Sequence, residues 1–133
     1  MNIRNIAIAI VAACSIGSCQ QKDKYTSLNG EWDVTAIEES VVPDSIEAYI
    51  GFDVEKRIIY GYTGCNYITG RIPSEKNETL FGTVASTRRM CPYMATESAL
   101  LEALAEVHSF KVNNEELDLL DTKGHTLVSL KRR

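Results

Sequence analysis

Ala48–Tyr62 reads AYIGFDVEKRIIYGY, and the period of this stretch decides the fold. From Ala48 to Asp53 apolar and polar positions alternate, which turns Ile50 and Phe52 to one face. Lys56–Tyr62 is rich in β-branched and aromatic residues, Ile58, Ile59, Tyr60 and Tyr62, side chains that suit a pleated, half-buried surface. Glu55-Lys56 stands between them as the turn. Two short strands about a tight turn are a unit of antiparallel sheet, and the same signature recurs on either side.

Upstream, Asn29-Gly30 is a turn signal. Glu31–Ile37 comes next as a strand, with Trp32, Val34 and Ala36 expected on one face. Val41-Val42-Pro43-Asp44-Ser45 reads as a loop. Downstream, Tyr67–Ile72 continues as a strand after a break at Gly64, and Ser74–Thr79 is a polar loop. Leu80–Ser86 alternates again, which would place Leu80, Gly82 and Val84 on one side.

The period then changes. Between Thr96 and Val107 the apolar residues Leu100, Leu101, Leu104 and Val107 recur at helical spacing. Thr96 is the expected N-cap, with Pro92 as the alternative start of an earlier turn. Glu97 reads as an acidic residue suited to the positive end of the helix dipole. After the helix come Phe110–Val112, Leu117–Leu120 and Thr126–Leu130, separated by Asn113-Asn114 and Lys123-Gly124. Both separators favour positive φ and so tight hairpins. The expected fold is mainly β (α+β): a small antiparallel sheet or cracked β-barrel with one α-helix packed on it.

The 133 residues suffice for one such domain, spanning residues 28–133, with a different kind of segment before it. Met1–Asn5 carries a single charge, on Arg4, and Ile6–Ala13 is an unbroken apolar run. Ser15, Gly17 and Ser18 then bring small residues, completing the order of a secretory signal over residues 1–18. The run is far shorter than the ~20 residues that a spanning helix needs. Ile16-Gly17-Ser18-Cys19 resembles a bacterial lipobox, with an aliphatic residue three before the cysteine and small residues between. Cys19 is therefore the expected lipidation site. The rival box Val11-Ala12-Ala13-Cys14 would leave no room after the apolar run. Gln20–Ser27 is polar and aperiodic, so residues 19–27 read as a lipidated tether. Residues 20–28 reach at most about 30 Å when extended, which keeps the domain close to a membrane. Gln20 is not the aspartate of inner-membrane retention. The expected location is the cell envelope, at the outer membrane, on its periplasmic or surface side.

Removing residues 1–18 leaves 13 basic and 18 acidic side chains. That balance argues against nucleic acid, whose phosphates demand a basic face. Lys131-Arg132-Arg133 reads as a solvated chain end. With Cys14 lost and Cys19 acylated, Cys65 and Cys91 remain as an even pair in an oxidising compartment, which implies one disulfide. Its loop would stabilise the fold by roughly 3–4 kcal/mol on the chain-entropy estimate. A redox pair and a metal site are the competing readings. The first lacks the Cys-x-x-Cys spacing. For the second, His108 and His125 stand apart from both cysteines.

Gly64-Cys65-Asn66 after an aromatic strand, Thr87-Arg88-Arg89-Met90-Cys91 before the helix, and the opening Leu28-Asn29-Gly30-Glu31-Trp32 together resemble the META domain, also called the HslJ-like family. Glu97 with Leu100, Leu101 and Leu104, and Leu117-Asp118-Leu119 with Gly124 and Leu127, continue the likeness in order. The resemblance implies a small antiparallel β structure with one helix, in some descriptions a cracked barrel. It also implies occurrence in secreted or lipid-anchored bacterial proteins, with loose links to heat shock, novobiocin tolerance and motility. The family's cysteine pair maps onto Cys65 and Cys91. Asn66 is read as an amide that hydrogen-bonds its own turn.

Nothing in the chain resembles a nucleophile elbow, a phosphate loop or a metal-ligand run. No catalytic, cofactor-binding or metal residue is assigned, and no cofactor is expected. The leading expectation is a non-enzymatic, lipid-anchored envelope protein, an interaction or stress-related module that binds an unknown partner through its sheet or barrel end and assists another envelope protein. Its surplus aromatics are Tyr60, Tyr62, Tyr67, Phe81 and Tyr93, which also read as strand packing. The alternative is a carrier of a small apolar ligand or lipid in a cavity between helix and sheet. The anchor is testable directly. Cys19→Ser should abolish fatty-acid labelling and release the chain from the membrane fraction; retained label would place the lipid elsewhere.

Overall fold

The computed structural model describes residues 24–74, 79–82 and 84–133. The leader, Cys14, Cys19 and most of the tether lie outside the described residues, as does most of the Ser74–Thr79 loop. The strands are β1 Gly30–Ile37, β2 Ser40–Val41, β3 Tyr49–Asp53, β4 Ile58–Tyr62, β5 Tyr67–Arg71 and β6 Val84–Ser86, then β7 Ser109–Asn113, β8 Glu116–Leu120 and β9 Thr126–Arg132. One α-helix, α1 Met94–Ala105, separates β6 from β7. All pairings are antiparallel, in the order β6-β5-β4-β3-β1-β9-β8-β7, with β2 folded back on β1. The mainly β architecture with a single helix is as expected, and the sheet is curved over the helix without closing.

Alternation places the core. Ile50 and Phe52 of β3, Ile59 of β4 and Ile68 of β5 are buried, and so are Leu117, Leu119 and Val128 across the other half. The helix packs on the central strands β9 and β1. Its Leu100 and Leu104 are buried against that floor, together with Val107 just beyond its end. Trp32 is fully buried, and its indole N–H donates to the Leu28 carbonyl at 2.8 Å, so its polar edge is satisfied inside the core. Asn114 takes φ 55° and Gly124 φ 84°, the conformations that the two hairpin signals required.

The structure departs from simple alternation in three places. In β1, Val34 pairs with Leu130 but Ala36 pairs with Ser129, so Thr35 forms a β-bulge. The extra residue reverses the facing of the strand beyond it. Ile37 is buried and Ala36 only partly so, the reverse of strict alternation. Secondly, only Val84–Ser86 of the expected Leu80–Ser86 strand is a strand. Leu80 and Phe81 are consecutive and both buried, so the expected alternation of core and solvent faces is absent there. They sit in a turn in which the Gly82 N–H donates to the Thr79 carbonyl at 3.2 Å. The Leu80 N–H reaches the Val107 carbonyl at 3.3 Å, linking this segment to the residues just before β7. Thirdly, β9 runs on to Arg132, so the basic C-terminus is not a loose end. The Arg132 guanidinium lies 4.0 Å over the Trp32 ring and donates to the Asn29 carbonyl. Arg133 donates to Glu47 at 2.6 Å, pairs with Asp33 at 3.3 Å and covers Tyr49 at 4.3 Å.

On the face away from the helix, the Tyr60 ring lies directly over Gly51 and its hydroxyl donates to Glu31 at 3.2 Å. A Cβ on Gly51 would collide with the Tyr60 ring at Cζ. Gly51→Ala should therefore lower stability by about 1–3 kcal/mol in urea unfolding. Combining it with Tyr60→Ala should cost less than the sum of the two single changes; strict additivity would show that the ring is not what holds position 51 to glycine.

Candidate functional site

The connection from β4 to β5 turns at Thr63–Asn66. The Thr63 hydroxyl oxygen accepts from the Asn66 N–H at 2.9 Å and the Cys65 N–H at 3.3 Å, and the Thr63 N–H donates to the Asn66 carbonyl at 2.9 Å. Thr63 thus closes the turn locally, the task that the sequence suggested for Asn66. The Asn66 amide works at long range instead. Its Oδ1 accepts from the Arg89 N–H at 2.6 Å and the Thr87 hydroxyl at 2.8 Å. Its Nδ2 donates to the Arg89 carbonyl at 3.1 Å and to Glu97 at 2.7 Å (Oε1) and 3.0 Å (Oε2). The Thr63 hydroxyl donates to Glu97 Oε1 at 2.9 Å.

Thr63, Asn66 and Glu97 are the buried polar residues of the described chain, and they form one connected set. Among the described residues no buried side-chain nitrogen or oxygen lacks a partner. Such a set is stabilising while complete, and losing one member strands the others in a low dielectric. Glu97 is not the surface charge that an acid near a helix start suggests; it is only 4 % exposed. The helix begins at Met94 with Tyr93 in the cap position and no side-chain cap, three residues earlier than the Thr96 reading and nearer the Pro92 alternative. Glu97 therefore lies within the first turns, where the free N–H groups favour a carboxyl. The signal is present in the sequence: Glu97, Leu100 and Leu104 share the i, i+3, i+7 stripe, so the acid sits on the apolar face.

Cys65 and Cys91 are joined by a disulfide across a Cα–Cα distance of 5.9 Å, within the usual range. Met94 Sδ lies 3.8 Å from one sulfur and 4.0 Å from the other. His108 and His125 are both exposed and remote from this pair in the fold, His125 beside Asp121. Among the described residues no three His, Cys, Asp or Glu side chains are placed to hold a metal ion.

These bonds converge on one loop, Thr87–Cys91. The Thr87 N–H donates to the Tyr67 carbonyl at 3.0 Å, and Thr87 Oγ1 accepts from the Tyr67 N–H at 3.1 Å. Both backbone polar groups of Arg89 are held by the Asn66 amide, and Cys91 is held covalently. The side chains of Arg88, Arg89 and Met90 nevertheless point outward, with Met90 87 % exposed. Among the described residues neither guanidinium has a partner. Tyr67, 57 % exposed, adjoins the loop, and Tyr93 is exposed just beyond it.

A groove of about 420 Å³ flanks the helix on another side, between Ala95, Ala99, Glu102 and the β1–β2 hairpin. It is not lined by Leu100, Leu101 or Leu104, whose positions defined the expected carrier cavity.

An open antiparallel sheet with one helix across its concave face, pinned by a Cys–Asn turn to a Thr–Cys loop, defines a small β domain of one known type. The chain belongs to the META domain family, whose model matches residues 26–133. Two solved structures share the fold. A protein from Burkholderia xenovorans, solved by NMR, is 22% identical with a TM-score of 0.61, over 80% of this chain and 83% of that one. A DUF4847 family protein from Bacteroides vulgatus, a crystal structure, is 14% identical with a TM-score of 0.55, over 81% and 95%. No curated protein matches the chain.

Removing the Asn66 amide would leave Glu97, Thr87 and the Arg89 peptide short of partners at once. Asn66→Ala should cost about 3–5 kcal/mol in denaturant unfolding, since each stranded group costs about 1–3 kcal/mol. Hydrogen exchange at the amide of Arg89 should rise with it. A cost below about 1 kcal/mol would mean that the disulfide alone fixes the loop.

Proposed function

We propose that this chain is a lipid-anchored protein of the bacterial cell envelope, at the outer membrane, whose META domain is a binding module without catalysis. The Thr87–Cys91 loop is its contact surface. One observation carries the reading: the buried polar set of the domain and its disulfide are both spent on fixing a loop whose Arg88, Arg89 and Met90 side chains are exposed. Arg, Met and Tyr, the residues shown there, are those enriched at protein contacts. A loop already held in one conformation also loses little entropy on binding.

The anchor reading rests on the lipobox at Cys19 and fits the position of the loop. The described chain starts at the β3–β4 turn, where Asn29 accepts from the Val54 N–H and Arg57 lies over Tyr25. The Thr87–Cys91 loop sits at the opposite ends of β4 and β5. A domain tethered through Cys19 would thus carry the loop at the ends of β4 and β5 opposite to those near the tether.

A photo-crosslinking residue placed at Met90 of the full-length protein in living cells should give discrete adducts. The same residue at Lys123, also exposed but in a distant turn, should give none. Absence of adducts at position 90, or the same pattern at both positions, would remove the loop as a contact surface.

A further inference from the structure

The outer face of the sheet carries a second feature, continuous with the loop. Asp33, Tyr49, Tyr62 and Tyr67 stand directly opposite one another across β1, β3, β4 and β5. The residues beside them in sequence, Ile50, Gly61 and Ile68, are buried, so the three tyrosines share the face away from the helix. The Tyr62 and Tyr67 ring centroids are 5.0 Å apart. Tyr67 in turn bonds Thr87 through its backbone, so the row ends at Arg88, Arg89 and Met90. At the other end Arg133 is already engaged by Glu47, Asp33 and Glu31. The row therefore runs from an acidic end, where one guanidinium meets three carboxylates, to an end with two guanidinium groups that no described residue pairs.

We infer that this row is a binding face for a carboxylate-bearing glycan, and that peptidoglycan is the envelope polymer with that chemistry. The inference rests on the binding-module reading and names its ligand. The Tyr62 and Tyr67 rings, 5.0 Å apart and tilted by 43° to each other, form a short aromatic surface beside the two arginines, while Arg133 covers Tyr49. A sugar ring of such a chain, with its C–H face on the exposed Tyr67 phenol, fits that surface. Carboxylates along the chain would meet Arg88 and Arg89, whose planar forks take a carboxylate through two hydrogen bonds. Nucleic acid also stacks on aromatic rows, but it needs a basic groove along its whole backbone, and here the cations stand at one end of an acidic chain.

The test is co-sedimentation of the full-length lipoprotein, in mild detergent at low salt, with purified peptidoglycan sacculi, and with chitin as a neutral glycan. Binding to sacculi should saturate and should exceed binding to chitin. Arg88→Glu with Arg89→Glu, and separately Tyr67→Ala, should each weaken it by roughly tenfold, the scale of one charge-assisted or stacking contact. All three positions are exposed, and an unchanged thermal midpoint would show that the variants fold. No sedimentation with sacculi would overturn the inference, and so would binding indifferent to these substitutions or equal binding to chitin. Crosslinks from Met90 would survive any of these results, leaving the binding module in place with a protein as its occupant.

Discussion

The hydrogen bond from the Asn66 amide to the Glu97 carboxyl, 2.7 Å long and out of reach of water, is the constraint on which the rest of the site hangs. It joins the turn after β4 to the first turns of α1. The leucines of the helix lock it over β1 and β9, near the middle of the sheet. Apolar packing alone would leave the start of the helix free to slide, because dispersion contacts carry little directional information. Glu97 fixes that end against β5, and the same amide then reaches on to both polar groups of the Arg89 peptide. The disulfide closes nearly the same span by other means. One constraint depends on exclusion of water and the other on an oxidising surrounding, so neither medium alone undoes both.

The open sheet has local causes. A closed barrel would need a ladder between β6 and β7, the two ends of the order. The first of these is only three residues long. The chain before it turns Leu80 and Phe81 inward together, and Phe81 meets Phe52 edge-on at 6.1 Å. A side-chain plug and one Leu80–Val107 hydrogen bond thus stand where a ladder would run. The bulge at Thr35 adds curvature at the opposite point, in the central strand, where β1 turns into the β2 hairpin.

Much of this is legible in the residues, and the failures share a cause. Strands with period-two burial, the two C-terminal hairpins and the leucine stripe are consequences of local periodicity, and each stands where the pattern puts it. The bulge is hidden because one inserted residue shifts facing without changing composition. Leu80–Ser86 alternates well enough to read as a strand, yet burial on both sides of Leu80 and Phe81 is set by tertiary neighbours. Arg132 and Arg133 look like a charged tail because their partners, Trp32, Asp33 and Glu47, lie far away in sequence. Glu97 misleads for a different reason. Its charge suggests solvent, although its place on the apolar stripe already demands that its carboxyl find partners inside. Asn66 is the natural complement: a buried amide in a turn whose local bonds Thr63 already makes, and so free to reach across.

The outer face has its own electrostatic logic. Burial first, and the Glu31 carboxylate next, raise the Tyr49 and Tyr60 phenols above their ordinary range. Raised phenol values keep these hydroxyls protonated, so they remain hydrogen-bond donors through neutral and mildly alkaline pH. Tyr60 spends its proton on Glu31, across the flat spot at Gly51. Along the neighbouring row, Arg133 offsets part of the negative charge of Glu47, Asp33 and Glu31, and covers Tyr49. Positive charge left over after internal pairing is then concentrated at the Arg88–Arg89 end. A sheet face on which one arginine is consumed by internal carboxylates and two are held out by a buried amide and a disulfide is polarised by its bonding, not by its composition. That polarity sets a direction along the tyrosine row, from Asp33 toward Arg89, in which a ligand carrying negative charge would have to lie.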